Sequence, residues 1–241
     1  MLAFLRKLFH RDQPRDAYGR WATTGTKVLV RGTGAAAEWK RRMGQTPRAY
    51  FQELLHGTGL TVGVLKVVRT KAGELKYDAW LTKPDGSHAG WLERAFHDDE
   101  RGFPVVEHKS FTLARDLQGK GIAKQVMRNA WAQYDRMGLA EVRAHSALGA
   151  GGLVWLKFGF LPHDKVIWQD LKRQIDSRIY KLPVAARVAY RKILQSDDPR
   201  TAWVIADSKY AHQLLERTNY HSTFSFGNAA QRRRFRAYVK P

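Results

Sequence analysis

Apolar and polar positions fall into runs of two periods along this chain, and the runs predict an alternation of strands and helices. Lys27–Arg31 (KVLVR) reads as a first strand. AAAEWKRRM and PRAYFQELL, within Ala35 to Leu55, carry helical spacing, and Pro47 suits a first helical turn. LTVGVLKVVR and ELKYDAWLT are rich in Val and aromatic residues and form a hairpin through the turn Lys71 to Gly73. The polar stretch KPDGSHAGWLERAFHDDERG reads as an insertion, and PVVEHKSFTLA after it as another strand. A Gly-containing turn, Leu117 to Ile122, opens a helix with apolar or small residues at Ile122, Val126, Met127, Ala130, Trp131 and Tyr134. Gly138 ends that helix, EVRAHSA is the next strand and GGLVWLKFGF the next helix.

Beyond Phe160 the pattern predicts a short strand from Lys165 to Trp168, then two helices parted by Pro183. TAWVIADS reads as a strand or a helix start, KYAHQLLERT as a helix, and the end of the chain as a basic tail with a terminal helix. At the other end, MLAFLRKLFHR has the spacing of a short basic amphipathic helix suited to packing on its own domain, on a partner or on a membrane surface. QPRDAYGRWATTGTK follows as a linker or arm.

Composition narrows the chemistry. The 241 residues can bury a sizeable core, and with no cysteine there is neither a disulfide nor a thiolate ligand. No Cys/His metal spacing and no Ser/His/Asp order stands out, so no metal is expected. No apolar run approaches the ~20 residues needed to span a bilayer, and no signal-peptide pattern is evident. The expectation is a cytoplasmic protein, or one carried in a particle assembled there. A net charge of +20 attracts polyanions, or equally serves solubility. Arg232, Arg233, Arg234 and Arg236, interleaved with Phe235 and Tyr238, are candidates for gripping nucleic-acid phosphates while rings stack on bases. A terminal helix with one solvated face is the plainer alternative.

The junction at residues 113 to 123 is the strongest chemical signal. A strand, a glycine turn and a helix start present free backbone N–H groups and the positive end of a helix dipole, which suits a phosphate or pyrophosphate. Gln118, Gly121 and Ala123 in QGKGIA fill the pattern Q/R-x-x-G-x-G/A, and the following strand and Gly-Phe-ended helix continue it over about fifty residues. In this the chain resembles the GNAT acyltransferases, which bind acetyl-coenzyme A. The resemblance implies a GNAT-like α/β (α+β) domain over 27–168, its mixed central sheet flanked by helices. An arm over 1–26 and a mostly helical basic extension over 169–241 complete the chain.

The same resemblance implies roles for residues. Leu113 would give backbone contacts to the acyl or pantetheine part, and Gly119, Lys120, Gly121, Ile122 and Ala123, with Gln118, would hold the pyrophosphate. Strand alternation places Glu107 on one face with Val105, Lys109, Phe111 and Leu113, so a partly desolvated carboxylate of raised pKa is expected there, fit to be the base for an amine acceptor. The family's catalytic glutamate stands at a similar distance. His108 is the fallback base. Two departures count against catalysis: Trp155 stands where many family members have an acid Tyr, and SALGAGG lacks a frequent Asn.

Three functions follow. One is acetyl transfer from acetyl-coenzyme A to an amine whose identity the sequence does not show. The second is a catalytically silent GNAT fold serving as a structural protein of a phage particle, since RDAYGRW is similar to short segments of bacteriophage head-associated proteins; virion proteins would then meet the N-terminal arm. The third is nucleic-acid binding.

Overall fold

The computed structural model describes residues 26–146, 149 and 151–240. The predicted amphipathic helix and the RDAYGRW arm lie outside the described residues. The fold is mixed α/β: a central, mostly antiparallel sheet of eight strands flanked by helices. In chain order the strands are β1 (Lys27–Arg31), β2 (Thr61–Arg69), β3 (Leu75–Thr82), β4 (His88–Asp98), β5 (Pro104–Leu113), β6 (Glu141–Ser146), β7 (Leu161–Pro162) and β8 (Tyr220–Ser225). Hydrogen-bonded neighbours run β1-β2-β3-β4-β5-β6-β8-β7. Two compact units divide the chain: Met1–Glu93 with Ser110–Ala130, and Arg94–Lys109 with Trp131–Pro241. Strands β4 and β5 contribute to both.

In the first unit β1 runs parallel to β2, and β2 antiparallel to β3 with Val67 opposite Tyr77. Helices α1 (Ala35–Met43) and α2 (Pro47–Leu54) return the chain between β1 and β2. Thr46 caps α2 by accepting from Ala49 N–H at 3.2 Å, and Pro47 follows at the position where a missing N–H costs nothing. Trp39, Tyr50 and Phe51 bury their rings around Tyr77 of β3, with Phe51 and Tyr77 edge to face at 5.0 Å between centroids. Removing a side chain such as Phe51 or Leu54 from water stabilises by about 1.5–3 kcal/mol.

The segment expected as an insertion is strand β4. It lies between two turns built like the one joining β2 and β3. Thr70 to Glu74, Lys83 to Ser87 and Asp99 to Phe103 each place a glycine fourth at φ near +80° (Gly73, Gly86, Gly102), its N–H bonded to the first carbonyl of the turn. These are type I turns closed by a left-handed residue, a conformation that favours glycine. Charged residues hid the strand: Glu93, Arg94 and His97 interrupt HAGWLERAFHD, yet Arg94 is 1% exposed and Gly90 lies so close to β5 that a Cβ would stand 2.2 Å from the Thr112 carbonyl.

The second unit carries the parallel pair β5–β6, in register from Val105–Glu141 to His108–Ala144, and β8 antiparallel to both β6 and β7. Two expectations are corrected here. Lys165–Trp168 is the first turn of helix α5 (Lys165–Ile179), because Asp164 accepts from Ile167 N–H at 2.8 Å and caps it, overriding the strand preference of Val166 and Ile167. The stretch taken as the start of the basic tail contains β8, whose buried positions Tyr220, Ser222 and Phe224 alternate with exposed or half-buried ones. The helices numbered in chain order are α3 (Ile122–Arg136), α4 (Gly151–Lys157), α5, α6 (Val184–Leu194), α7 (Thr201–Ala206), α8 (Ala211–Leu215) and α9 (Ala229–Val239). Trp168, Leu171, Ile175 and Ile179 of α5 pack with Leu153, Ile205, Leu214 and Tyr220 into one buried cluster. Among the described residues no helix is long and apolar enough to cross a membrane.

Candidate functional site

The loop from Arg115 to Gly121 and the head of α3 lie wholly in the first unit. Its entry is a single 3-10 turn, Arg115–Leu117, in which the Leu117 and Gln118 N–H groups bond back to Ala114 and Arg115. From Gly119 to Ala123 the backbone N–H groups make no hydrogen bond among the described residues. The first helical bond starts at Gln125 N–H, which reaches the Gly121 carbonyl at 3.1 Å. Five successive amides are therefore left without a partner at the positive end of a 15-residue helix.

Glycine is required twice in this loop. Gly119 and Gly121 have φ of +74° and +79°, and a Cβ at either would meet nothing within 4 Å. The constraint is backbone conformation, and the space above the amides is open. Asp116 is the acid of this turn, and the ammonium of Lys83 pairs with it at 2.8 Å. That bond holds the Asp116 carboxyl below the usual range, and Lys120 acts in the same direction. Arg115 and Lys120 are exposed beside the loop. An exposed, amide-lined turn with a neutralised acid and added cations is the environment an oxyanion needs.

The Leu113 carbonyl accepts from the Gln118 side-chain amide at 2.9 Å, so Gln118 closes the turn on the strand end. At the far side of the helix, Asn129 donates to the Leu54 and His56 carbonyls, both at 2.9 Å, and so satisfies the end of α2. Those contacts fix α3, and with it the direction of the loop amides.

Glu107 and His108 lie in the second unit. Glu107 is half-buried, its carboxylate paired with Lys109 and 3.8 Å from His97 Nε2. The partly desolvated carboxylate that strand alternation puts on one face with Lys109 is ion-paired with it. His108 is 3% exposed, and its Nε2 shares a 2.9 Å hydrogen bond with the Tyr134 hydroxyl. The rings of Trp131, Tyr134 and Trp155 surround it, with Trp155 at 5.4 Å. Burial, and then the charge of Arg94, push its pKa well below the ordinary value. A neutral imidazole walled in by rings is not open to an acceptor amine. His108 is a core residue in this structure, and Tyr134, one of the apolar-face positions predicted for the helix from Ile122, is its partner.

The same shell explains Trp155. Its half-buried indole packs on Phe160 at 4.8 Å as well as on His108. The four C-terminal arginines separate into two kinds. Arg234 is structural: it donates to the Leu156 carbonyl at 2.9 Å and to both Asp207 carboxylate oxygens at 2.7 and 2.8 Å. Arg232, Arg233 and Arg236 are exposed. No group of three His, Cys, Asp or Glu side chains among the described residues could hold a metal ion.

No family model matches the sequence, and no curated protein matches it. Solved structures similar in part include Arabidopsis thaliana Naa50 in complex with the bisubstrate analogue CoA-Ac-MVNAL. That match has 17% identity over 36% of this chain and 58% of that one, with a TM-score of 0.32. A GNAT family acetyltransferase from Elizabethkingia anophelis with acetyl-CoA bound matches at 19% identity over 39% and 57%, TM-score 0.29. The GNAT family N-acetyltransferase YhbS from Escherichia coli, in complex with CoA, matches at 18% identity over 53% and 61%, TM-score 0.30. The chain spans less than two thirds of the length of each of these.

Proposed function

We propose that this chain binds acetyl-coenzyme A by its diphosphate at the head of α3 and transfers the acetyl group to an amine. The observation that carries the proposal is the run of unbonded amides from Gly119 to Ala123, held open by two glycines of positive φ. Residues 119 to 123 supply N–H donors to the diphosphate and Lys120 a charge-assisted contact. Acetyl-coenzyme A would supply an acyl group activated as a thioester, its C–S bond breaking as the C–N bond forms and coenzyme A leaving as a thiolate that takes its proton from water. Glu107, the half-exposed carboxylate of β5, takes the proton that the amine loses on acylation. Excess product coenzyme A measures the binding half of the proposal by thermal stabilisation. Thiol release across a panel of amines measures the chemical half. Glu107→Gln is expected to cut turnover by about 10²-fold or more and leave the stabilisation by coenzyme A unchanged.

Trp155 favours a second reading, a GNAT-like domain that binds coenzyme A without turning it over, because an indole packed on His108 cannot hand a proton to a departing thiolate. Stabilisation by coenzyme A with no thiol release from any amine is the outcome that selects it. A place in a phage particle would then be tested by co-purification of the full chain with assembled heads.

A further inference from the structure

We infer that the groove beside Trp131, within the second unit, is a binding site for single-stranded nucleic acid. One base enters against the aromatic wall while flanking phosphates meet Arg232 and Arg236. The groove has a volume of about 180 Å³ and is lined by the last turns of α3, the residue after β8 and one side of α9. At about 30 Å³ for each water that is space for roughly six, the size of one planar heterocycle. Trp131 stacks on Phe235 at 4.3 Å and 14°, and Phe226 stands half-buried 5.8 Å from Trp131. Trp131 is 8% exposed, and its indole N–H is buried with no hydrogen-bond partner, a donor the fold leaves unused.

The charges at this groove are equally uncommitted. Arg232 and Arg236 stand four residues apart on α9 and so share a side of it. Neither guanidinium group forms an ion pair or hydrogen bond among the described residues, and neither does the Asp135 carboxylate. A nucleotide strand has a use for each of these groups. The half-buried ring of Phe226 stacks on the base, the guanidinium groups take phosphates, and Asp135 accepts from an exocyclic amino group such as cytosine N4. An acidic peptide would engage the arginines, leave the aromatic wall idle and bring like charge to Asp135. The +20 net charge supplies the attraction that brings a polyanion to the site.

The test is fluorescence anisotropy of the full chain with labelled short oligo(dC) and oligo(dT), at about 50 and about 200 mM NaCl. Oligo(dC) is expected to bind, more weakly at the higher salt and more tightly than oligo(dT). Phe226→Ala is expected to weaken binding about tenfold. Arg232→Gln and Arg236→Gln are each expected to weaken it about fivefold, and Arg233→Gln, which removes the same charge from an exposed position not lining the groove, less than about twofold. Asp135→Asn is expected to narrow the preference for oligo(dC). Melting temperatures of all variants close to the parent's certify that the fold is intact. Equal losses in the three arginine variants, unchanged affinity in Phe226→Ala, or binding of poly-glutamate in place of either oligonucleotide would each overturn the inference.

Discussion

A glutamate in place of Gly121 is expected to abolish coenzyme A binding while leaving the fold standing, and the size of the effect can be set in advance. Gly121 has φ +79° with nothing within 4 Å of a Cβ, so the substitution meets no clash and costs about 1–2 kcal/mol of left-handed strain. Gly44 is its matched control: it ends α1 at φ +66°, also with open space at the Cβ, and Gly44→Glu carries the same strain and the same charge at another element. Coenzyme A at one hundred times its dissociation constant stabilises the folded protein by about 2.7 kcal/mol. For a chain of 241 residues that corresponds to a rise in melting temperature of roughly 5–11 °C. The parent and Gly44→Glu are expected to show that rise in scanning fluorimetry. Gly121→Glu, whose carboxylate sits among the amides meant for the diphosphate, is expected to show none. Full stabilisation of Gly121→Glu, or no rise in the parent at millimolar coenzyme A, would refute the assignment of the loop.

Further outcomes follow from single contacts. His108 is neutral in the folded state and its pKa lies well below 6.5, so below about pH 6.5 the unfolded chain takes up a proton that the folded one refuses. Stability is then full above that pH and falls with acidification by up to about 1.4 kcal/mol per unit. His108→Phe, compared with the parent by urea unfolding at pH 7.5 and 5.5, is expected to remove that share of the slope; an unchanged slope rules the account out. Gly152→Ala would set a Cβ 2.0 Å from Thr218 Oγ1 and 2.7 Å from the Leu215 carbonyl, and is expected to cost about 3 kcal/mol or more, read as lost soluble yield and a lowered melting temperature. Arg234→Gln is expected to cost about 1 kcal/mol, the Asp207 carboxylate being 60% exposed, whereas Arg232→Gln stays within about 0.5 kcal/mol. Equal melting temperatures for the two would show that Arg234 anchors nothing.

Much of the first unit was legible because local signals there agree with tertiary ones. KVLVR forms β1 with the predicted bounds, Pro47 opens α2, and the glycine turn before Ile122 leads into α3. Strand β4 was not legible, since charged residues interrupt its apolar pattern and one of them, Arg94, reads as surface and is buried. Lys165–Trp168 misled for a related reason, with Asp164 capping a helix under residues of strand type. His108 shows the limit for chemistry. Alternation puts it on the same strand face as buried Val106, but only the meeting of α3 and α4 side chains on that imidazole shows it enclosed. The separation of Arg234 from Arg232 and Arg236 likewise depends on Asp207 and Leu156, 27 and 78 residues away in sequence.

The position of β8, inserted beside β6 and ahead of β7, sets an order of events at synthesis. Residues 141 to 146 leave the ribosome some seventy residues before the segment that pairs with them through Val142–Phe224 and Ala144–Ser222. For that interval the nascent sheet keeps one flank unsealed, a template on which a neighbouring chain could add itself. Release of the final strand, rather than collapse of the early helices, is then the step at which the growing polypeptide becomes safe from its own copies.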